Sequence, residues 1–314
     1  MKMDQQNNNV LIVICGPTAV GKTKFSIEIA KEFKSEIISA DSRQLFKETI
    51  IGTAQPLHEE MEEIKHHFIS SHSVKEKYNA GKYEEESLKL IEHLFLSKKT
   101  LILSGGSGLY INAVCQGFDE IPKANLRVRK NLEAILEIEG ITGLQKLLRK
   151  TDPIFYQEAD LKNLQRITRA LEVCLSSGKP YSSFRQRNFK KRNFKIIKIG
   201  LNIERKELYE RINKRVDVMM ENGLLEEVRK LYEYKDLNAL KTVGYKELFD
   251  YLDNKIDLET AVNKIKQNTR HFAKRQLTWF GKDKEIRWFS PEDRNEIVDY
   301  LKQEMNEELG IVDS

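Results

Sequence analysis

The chain has few of the residues that staple small secreted scaffolds together. Of its 314 residues only three are cysteine, Cys15, Cys115 and Cys174, and they lie far apart. An odd, scattered set excludes a disulfide framework and a cysteine-based zinc site, and it suits a reducing cytoplasm. Proline (6) and glycine (16) are too sparse for a collagen-like or low-complexity chain. No apolar run reaches the roughly 18–20 residues of a membrane helix. The polar start MKMDQQNNN and the short run Val10–Cys15 do not read as a secretory signal. No sign of charge dominates either. Lys and Arg number 53 against 48 Asp and Glu, a net +5, too small to name a partner. What is there is 40% hydrophobic and 32% charged residues. That is enough for a large core under a soluble surface and too apolar for a disordered chain.

The apolar residues alternate between two periods. Val10–Cys15 (VLIVIC), Glu36–Ala40 and Thr100–Leu103 read as short buried strands. Between them lie helical patterns, one carrying Phe25, Ile29 and Phe33, another running Tyr83–Ser97 with Leu88, Ile91, Leu94 and Phe95 on one face. Such alternation predicts a parallel sheet with right-handed crossovers. From about Gly117 to Lys195 only helices and loops are expected, punctuated at Thr151-Asp152-Pro153, with Asp160 as an N-cap and Gly178 as a helix end. A strand returns at Ile196–Ile203. Long helices follow at about 205–234, 243–252 and 258–281, then a short strand Glu285–Phe289 and a final helix opened by Ser290-Pro291. The fold class is therefore α/β: a P-loop NTPase-like parallel sheet flanked by helices. Residues 10–116 and 196–314 form its core, and 117–195 form a helical insertion domain.

Gly16-Pro-Thr-Ala-Val-Gly21-Lys22-Thr23 fits G-x-x-x-x-G-K-[ST] at every fixed position, after a strand and before a helix. Glycines let backbone N–H groups curl around phosphate oxygens, and a helix N-terminus adds about half a positive charge. Gly16, Thr18, Ala19, Val20, Gly21, Lys22 and Thr23 are thus phosphate-binding candidates, with Lys22 as a mobile cation and Thr23 as the Mg²⁺ ligand. The motif does not say which phosphate compound binds. Nucleotide hydrolases add an acid at the end of another strand, yet the third strand ends in Ser104-Gly105-Gly106. The second ends in Asp41, at the rim where such sheets bind ligands. There Asp41 could hold Mg²⁺, act as a general base, or cap a helix.

Several further segments, ISADSRQ (38–44), IGTAQP (51–56), GGSGLYINA (105–113), RALEVCLSSGKP (169–180), GLLEEVRKL (223–231), TVGYKEL (242–248) and TRHFAKRQLTWF (269–280), come in a fixed order. Together they resemble the tRNA dimethylallyltransferase (tRNA isopentenyltransferase) family of bacterial type, across about residues 10–290. The resemblance implies transfer of a dimethylallyl group from dimethylallyl diphosphate to N6 of the adenosine 3′ of the tRNA anticodon. The phosphate loop then grips the donor's diphosphate, no ATP is used, and the missing second acid is explained. Asp41 matches the family's proposed base, and Arg215 a further diphosphate-contacting arginine. Ser42, Arg43, Gln44, Ser107, Arg129, Gln165, Arg166 and Arg169 match positions that contact the tRNA anticodon stem-loop. Ser107 stands where the family more often has Thr, and Lys162-Asn163-Leu164 and Gly281 also depart from its pattern. The resemblance further implies a cytoplasmic monomer using Mg²⁺.

Between Arg185 and Lys198 lie seven basic residues, no acid, and Phe189 and Phe194, so the rest of the chain is slightly acidic. Basic residues interleaved with aromatics suit a nucleic-acid surface, the competing reading being a solvated loop. His66-His67, with His58 and His72, lacks the accompanying ligands of a metal site and reads as structural. Trp279 is expected to pack against the sheet. The alternative functions are a P-loop small-molecule kinase using ATP, which leaves the basic segment and the insertion without a purpose, and a non-catalytic RNA-binding protein, which leaves the phosphate loop idle. A third is an adenylate isopentenyltransferase, which needs less nucleic-acid surface.

Overall fold

The computed structural model describes residues 8–122, 125–185 and 190–306. They divide into two compact units: one holds the residues up to Cys115 and from Arg192 onward, the other Gln116–Lys191.

The first unit is built on β1 (Val10–Cys15), which is buried along its whole length. A run of aliphatic residues with no polar member needs a layer on both faces, and it receives one. With β2 (Ile37–Ser39), β3 (His66–His67), β4 (Thr100–Gly105), β5 (Lys195–Leu201) and β6 (Arg287–Phe289) it forms a six-stranded sheet in the order β3-β2-β4-β1-β5-β6. Every pairing is parallel. Alternate β1 side chains serve opposite cores. Ile12 and Ile14 pack with Phe25 and Ile29 of α1 (Lys22–Glu32) and with Leu208 and Ile212 of α7 (Arg205–Glu221). Leu11, Val13 and Cys15 pack with Tyr83 and Ile91 of α2 (Ala80–Leu94) and with Ile111 and Val114 of α3 (Gly108–Cys115). A third core joins Leu45 and Phe46 to α8 (Leu224–Lys230), α9 (Tyr245–Leu252) and α10 (Leu258–Phe280). Each fully buried aliphatic side chain contributes about 1.5–3 kcal/mol.

The second unit holds α4 (Leu126–Thr151), broken at Gly140 where φ is 66°, α5 (Pro153–Glu158) and α6 (Leu164–Ser177). Its core is Leu132, Leu144, Leu148, Phe155, Ile167 and Leu171. Asp152 is fully buried, yet satisfied: it accepts the Phe155 N–H (3.0 Å), the Ser182 N–H (2.7 Å) and the Ser182 hydroxyl (2.8 Å).

Several boundaries differ from the sequence reading for local reasons. The long helix expected over 205–234 is two, α7 and α8, because Gly223 turns the chain at φ 94°. Asn163, not Asp160, caps α6; its side chain accepts the Arg166 N–H at 3.1 Å, while Asp160 accepts the Lys162 N–H one turn earlier. α6 ends at Gly178, φ 71°, as its sequence requires. Ser290-Pro291 forms a turn, and α11 (Arg294–Asn306) starts behind Asp293, whose carbonyl takes the Ile297 N–H. The second unit stops at Lys191 rather than 195. Arg192 already belongs to the core, where its guanidinium donates to the Val114 and Ala113 carbonyls at 2.8 Å each and pairs with Glu84. Phe194 packs on Phe95.

Candidate active site

β1 delivers the chain to Gly16, where φ is 145° and a Cβ would sit 2.4 Å from the Leu201 carbonyl oxygen. Only glycine fits there. The loop turns through Ala19 (φ 65°) to Gly21 (φ 106°), which precedes α1 without a side-chain cap. The first N–H groups of a helix have no intrahelical partner, and no acid in the first turn competes for them. They form an anion cradle. Lys22 folds back over the loop and donates to the Gly16 (3.0 Å) and Pro17 (2.7 Å) carbonyls. Burial pushes its ammonium down to about 8; nearby Asp41 opposes that shift and Arg215 adds to it. Thr23 is exposed, and its hydroxyl has no partner among the described residues.

The second wall comes from the paired ends of β2 and β4. Ala40 N–H donates to the Ser104 carbonyl (2.7 Å) and Ser107 N–H to the Ala40 carbonyl (3.1 Å). Gly105 permits the approach, since a Cβ there would lie 2.2 Å from the Ala40 oxygen. Asp41 follows directly. One carboxylate oxygen accepts the Arg43 N–H at 2.9 Å, and the other has no partner among the described residues. The Ser107 hydroxyl accepts the Ser42 N–H (2.9 Å) and meets the Ser42 hydroxyl (2.9 Å).

Asp41, Lys22, Thr23, Arg43 and Arg215 line one cavity of about 750 Å³ at the carboxyl ends of the strands. Arg215, from α7, donates to the Thr18 hydroxyl (3.1 Å) and the Ala54 carbonyl (3.5 Å). Burial first, then neighbouring Arg43, lowers its proton affinity, and Asp41 restores part of it. Thr18, Ala19, Gly21 and Gln44 also line the cavity. Gly16 and Val20 do not line it; Gly16 abuts the Leu201 backbone, and the Val20 side chain belongs to the core.

Other residues hold the frame of the cavity. Arg43 and Gln44 brace the loop spanning 50–56: Arg43 donates to the Gly52 (2.9 Å) and Val243 (2.7 Å) carbonyls, Gln44 to Thr53 and Ala54. Glu227 completes the brace, accepting the Ile51 N–H (2.7 Å), the Gly52 N–H (2.9 Å) and the Tyr245 hydroxyl (2.6 Å). The segments IGTAQP, GLLEEVRKL and TVGYKEL meet here, and their sequence gave no sign of it. Gln276 was missed as well; it accepts the Thr18 N–H at 2.9 Å and donates to the Gly106 carbonyl at 2.8 Å. Trp279 is 45% exposed rather than packed on the sheet, and it abuts Gly108. The thiols of Cys15 and Cys115 are pushed up to about 12 by burial, so neither serves as a nucleophile. His67 pairs with Glu36 (2.7 Å), and His66 meets the Ile64 carbonyl (2.8 Å).

In the second unit, Gln165 and Arg166 are exposed on the first turn of α6. Arg129 and Arg169 are both committed to Glu172, which is fully buried, at 2.5 and 3.4 Å. Arg129→Ala and Arg169→Ala should therefore each lower stability by about 1–3 kcal/mol, because a buried carboxylate loses a charged partner; thermal unfolding measures it, and unchanged melting would contradict it.

The basic segment is likewise less free than its composition implies. Arg185 pairs with Glu158 (2.8 Å), Arg192 holds α3, and Lys198 is buried between Asp283 (2.8 Å) and Glu285 (2.6 Å). Arg187 and Phe189 lie outside the described residues. Lys190 and Lys191 are exposed. Lys190→Ala with Lys191→Ala should flatten the salt dependence of RNA affinity by about one to two units of slope. Arg192→Ala should instead lower the melting temperature. An unchanged slope in the lysine variant would remove this segment from the interface.

A phosphate loop, a strand-end carboxylate and an arginine face one cavity, the arrangement of a phosphate-binding enzyme site. Comparison with known proteins makes this specific. The IPP transferase family model matches residues 44–283. The tRNA dimethylallyltransferase of Christiangramia forsetii is 52% identical over 95% of this chain and 99% of its own. That of Bacteroides fragilis, tRNA dimethylallyltransferase 1, is 48% identical over 93% and 97%. Among solved structures, the full-length tRNA isopentenylpyrophosphate transferase of Bacillus halodurans superposes with a TM-score of 0.71 at 36% identity, covering 95% of this chain and 97% of that one. A eukaryotic dimethylallyltransferase acting on tRNA gives 0.76 at 28% identity, over 95% and 78%. The chain belongs to the IPP transferase family.

Proposed function

We propose that the chain transfers a dimethylallyl group from dimethylallyl diphosphate to N6 of the adenosine 3′ of the anticodon in tRNA, forming N6-isopentenyladenosine and releasing diphosphate. The observation that carries this reading is the cavity that Asp41 shares with Lys22 and Arg215. An exocyclic adenine amine is a weak nucleophile. As its nitrogen lone pair forms the bond to the allylic carbon, the carbon–oxygen bond to diphosphate breaks, and the amine proton passes to the Asp41 carboxylate. Charge gathers on the leaving diphosphate, where Lys22, Arg215 and the α1 N–H groups are already in place; preorganised donors of this kind act most strongly in the transition state. Ser107 and Ser42 stand beside Asp41, as hydrogen-bonding groups for the target nucleotide.

Thr23 fits a magnesium ion: its hydroxyl is a hard oxygen donor at the head of α1 on the cavity wall. No cluster of three acidic, histidine or cysteine side chains accompanies it among the described residues, so diphosphate oxygens and waters would complete the shell. The ion would neutralise charge on the diphosphate. In the second unit, exposed Gln165 and Arg166 are assigned to the anticodon stem-loop, together with whatever reach Arg129 and Arg169 retain beyond Glu172. Buried, unpaired cysteines suit a cytoplasmic enzyme, and the reading takes it as a monomer.

The kinase reading draws on the phosphate loop and Asp41 alone and is not favoured by the relatives. The deciding test is diphosphate release that requires both the isoprenoid donor and unmodified tRNA; ATP hydrolysis independent of tRNA would decide for the kinase. A pH dependence follows as well. Lys22 is charged below about 8 and neutral above it. Affinity for inorganic diphosphate should then fall by up to about tenfold per pH unit above that point. Calorimetric titration across the alkaline range measures this, and a flat profile would show that Lys22 does not bind the diphosphate as a cation.

A further inference from the structure

The two substrates of this reaction meet different loops. The donor's diphosphate belongs to the loop after β1, and the acceptor adenosine to the segments after β2 and β4. Arg215 reaches Thr18 and Ala54 from α7, and a second side chain joins the loop after β1 to the segment after β4. Gln276, on α10, is 6% exposed and fully engaged. Its Oε1 accepts the Thr18 N–H (2.9 Å), and its Nε2 donates to the Gly106 carbonyl (2.8 Å). An N–H can only donate and a carbonyl can only accept, so the amide orientation is dictated by its neighbours. Gly106 allows the contact, because a Cβ there would lie 2.2 Å from Nε2.

The chain of bonds continues on either side. Thr18 also receives Arg215 on its hydroxyl (3.1 Å). Gly106 leads into Ser107, whose hydroxyl accepts the Ser42 N–H next to Asp41. We propose that Gln276 is a positioning residue that locks the donor loop to the acceptor loop, so that diphosphate bound on one favours the nucleotide-binding arrangement of the other. No other standard side chain replaces it directly: Glu has the length but no donor, Asn has both groups but is one methylene short, and Met fills the volume with neither. The proposal rests on the function given above and adds a residue and a coupling to it.

The test measures equilibrium binding of a labelled anticodon stem-loop RNA with and without inorganic diphosphate and Mg²⁺. In the wild type, diphosphate should tighten RNA binding by about tenfold, a typical coupling between sites. In Gln276→Met the gain should shrink to less than about twofold, while each ligand alone binds nearly as before and the fold persists. In turnover at saturating donor, KM for tRNA should rise by about the coupling factor that is lost, with kcat changed less. A Gln276→Met protein that keeps the full gain overturns the proposal. Should that variant not fold, Gln276→Glu keeps the acceptor for Thr18 and loses the donor to Gly106, and the same loss of gain is expected of it. A wild type that transfers the dimethylallyl group but binds RNA equally with and without diphosphate overturns the role of Gln276 alone. A wild type with no transfer overturns the function as well.

Discussion

Asp41→Ala should leave the protein folded and able to bind tRNA, and lower kcat by at least about a hundredfold, the scale of a lost general base. Asp41 is half-buried on the cavity wall and has one carboxylate oxygen tied to the Arg43 N–H. That bond fixes the side chain; the second oxygen, without a partner among the described residues, is the one that the proposed mechanism uses to take the amine proton. Asp41→Asn preserves the shape and can still accept the Arg43 N–H, but it cannot act as a base. It should therefore lose turnover as severely as the alanine variant while melting like the wild type. Single-turnover transfer to tRNA, alongside tRNA affinity, separates the two effects. Wild-type rates in Asp41→Asn would make Asp41 a turn-forming residue only.

Arg215→Ala should lower kcat/KM by on the order of 10²–10³, the effect of removing one preorganised charge partner from a developing anion. Arg215 is held by the Thr18 hydroxyl and the Ala54 carbonyl, close to Asp41 and Arg43. Burial already disfavours its charge, so an arriving diphosphate gains a cation that has little water to lose. Arg215→Lys keeps the charge but not the planar fork, and should recover only part of the loss. The measurement is steady-state transfer with varied donor. Arg211 is the contrast: its guanidinium pairs with Glu207 and reaches Val20 only at 3.5 Å. Arg211→Ala should thus cost less than about tenfold, since a half-exposed ion pair is a weak contributor. If Arg211 rather than Arg215 carries the larger effect, the diphosphate lies elsewhere in the cavity.

The phosphate loop was readable because its parts are contiguous and its backbone is demanding. Gly16 and Gly21 sit at φ values that exclude side chains, and the sequence must say so. Asp41 was readable as an acid at a strand end, though not its role. What escaped were long-range partners. Gln276 lies 258 residues from Thr18, and Glu227 is 175 from Gly52. A polar residue on a helix gives no local sign of the loop it will meet. The basic segment misled for the same reason. Its charges could be counted in sequence, but Glu158, Glu84, Asp283 and Glu285, which take up four of its contacts, lie far off. Arg43 and Gln44 matched tRNA-contacting positions; one Arg43 nitrogen and the Gln44 amide nitrogen hold neighbouring carbonyls, so both residues also shape the wall.

The central claim is tested most directly by incubating pure protein with Mg²⁺, unmodified tRNA and either dimethylallyl diphosphate or ATP, then analysing the digested nucleosides. N6-isopentenyladenosine should appear at the position 3′ of the anticodon with the isoprenoid donor alone, and Asp41→Asn should abolish it. Unmodified adenosine there at saturating donor, or ATP consumption in its place, would contradict the account.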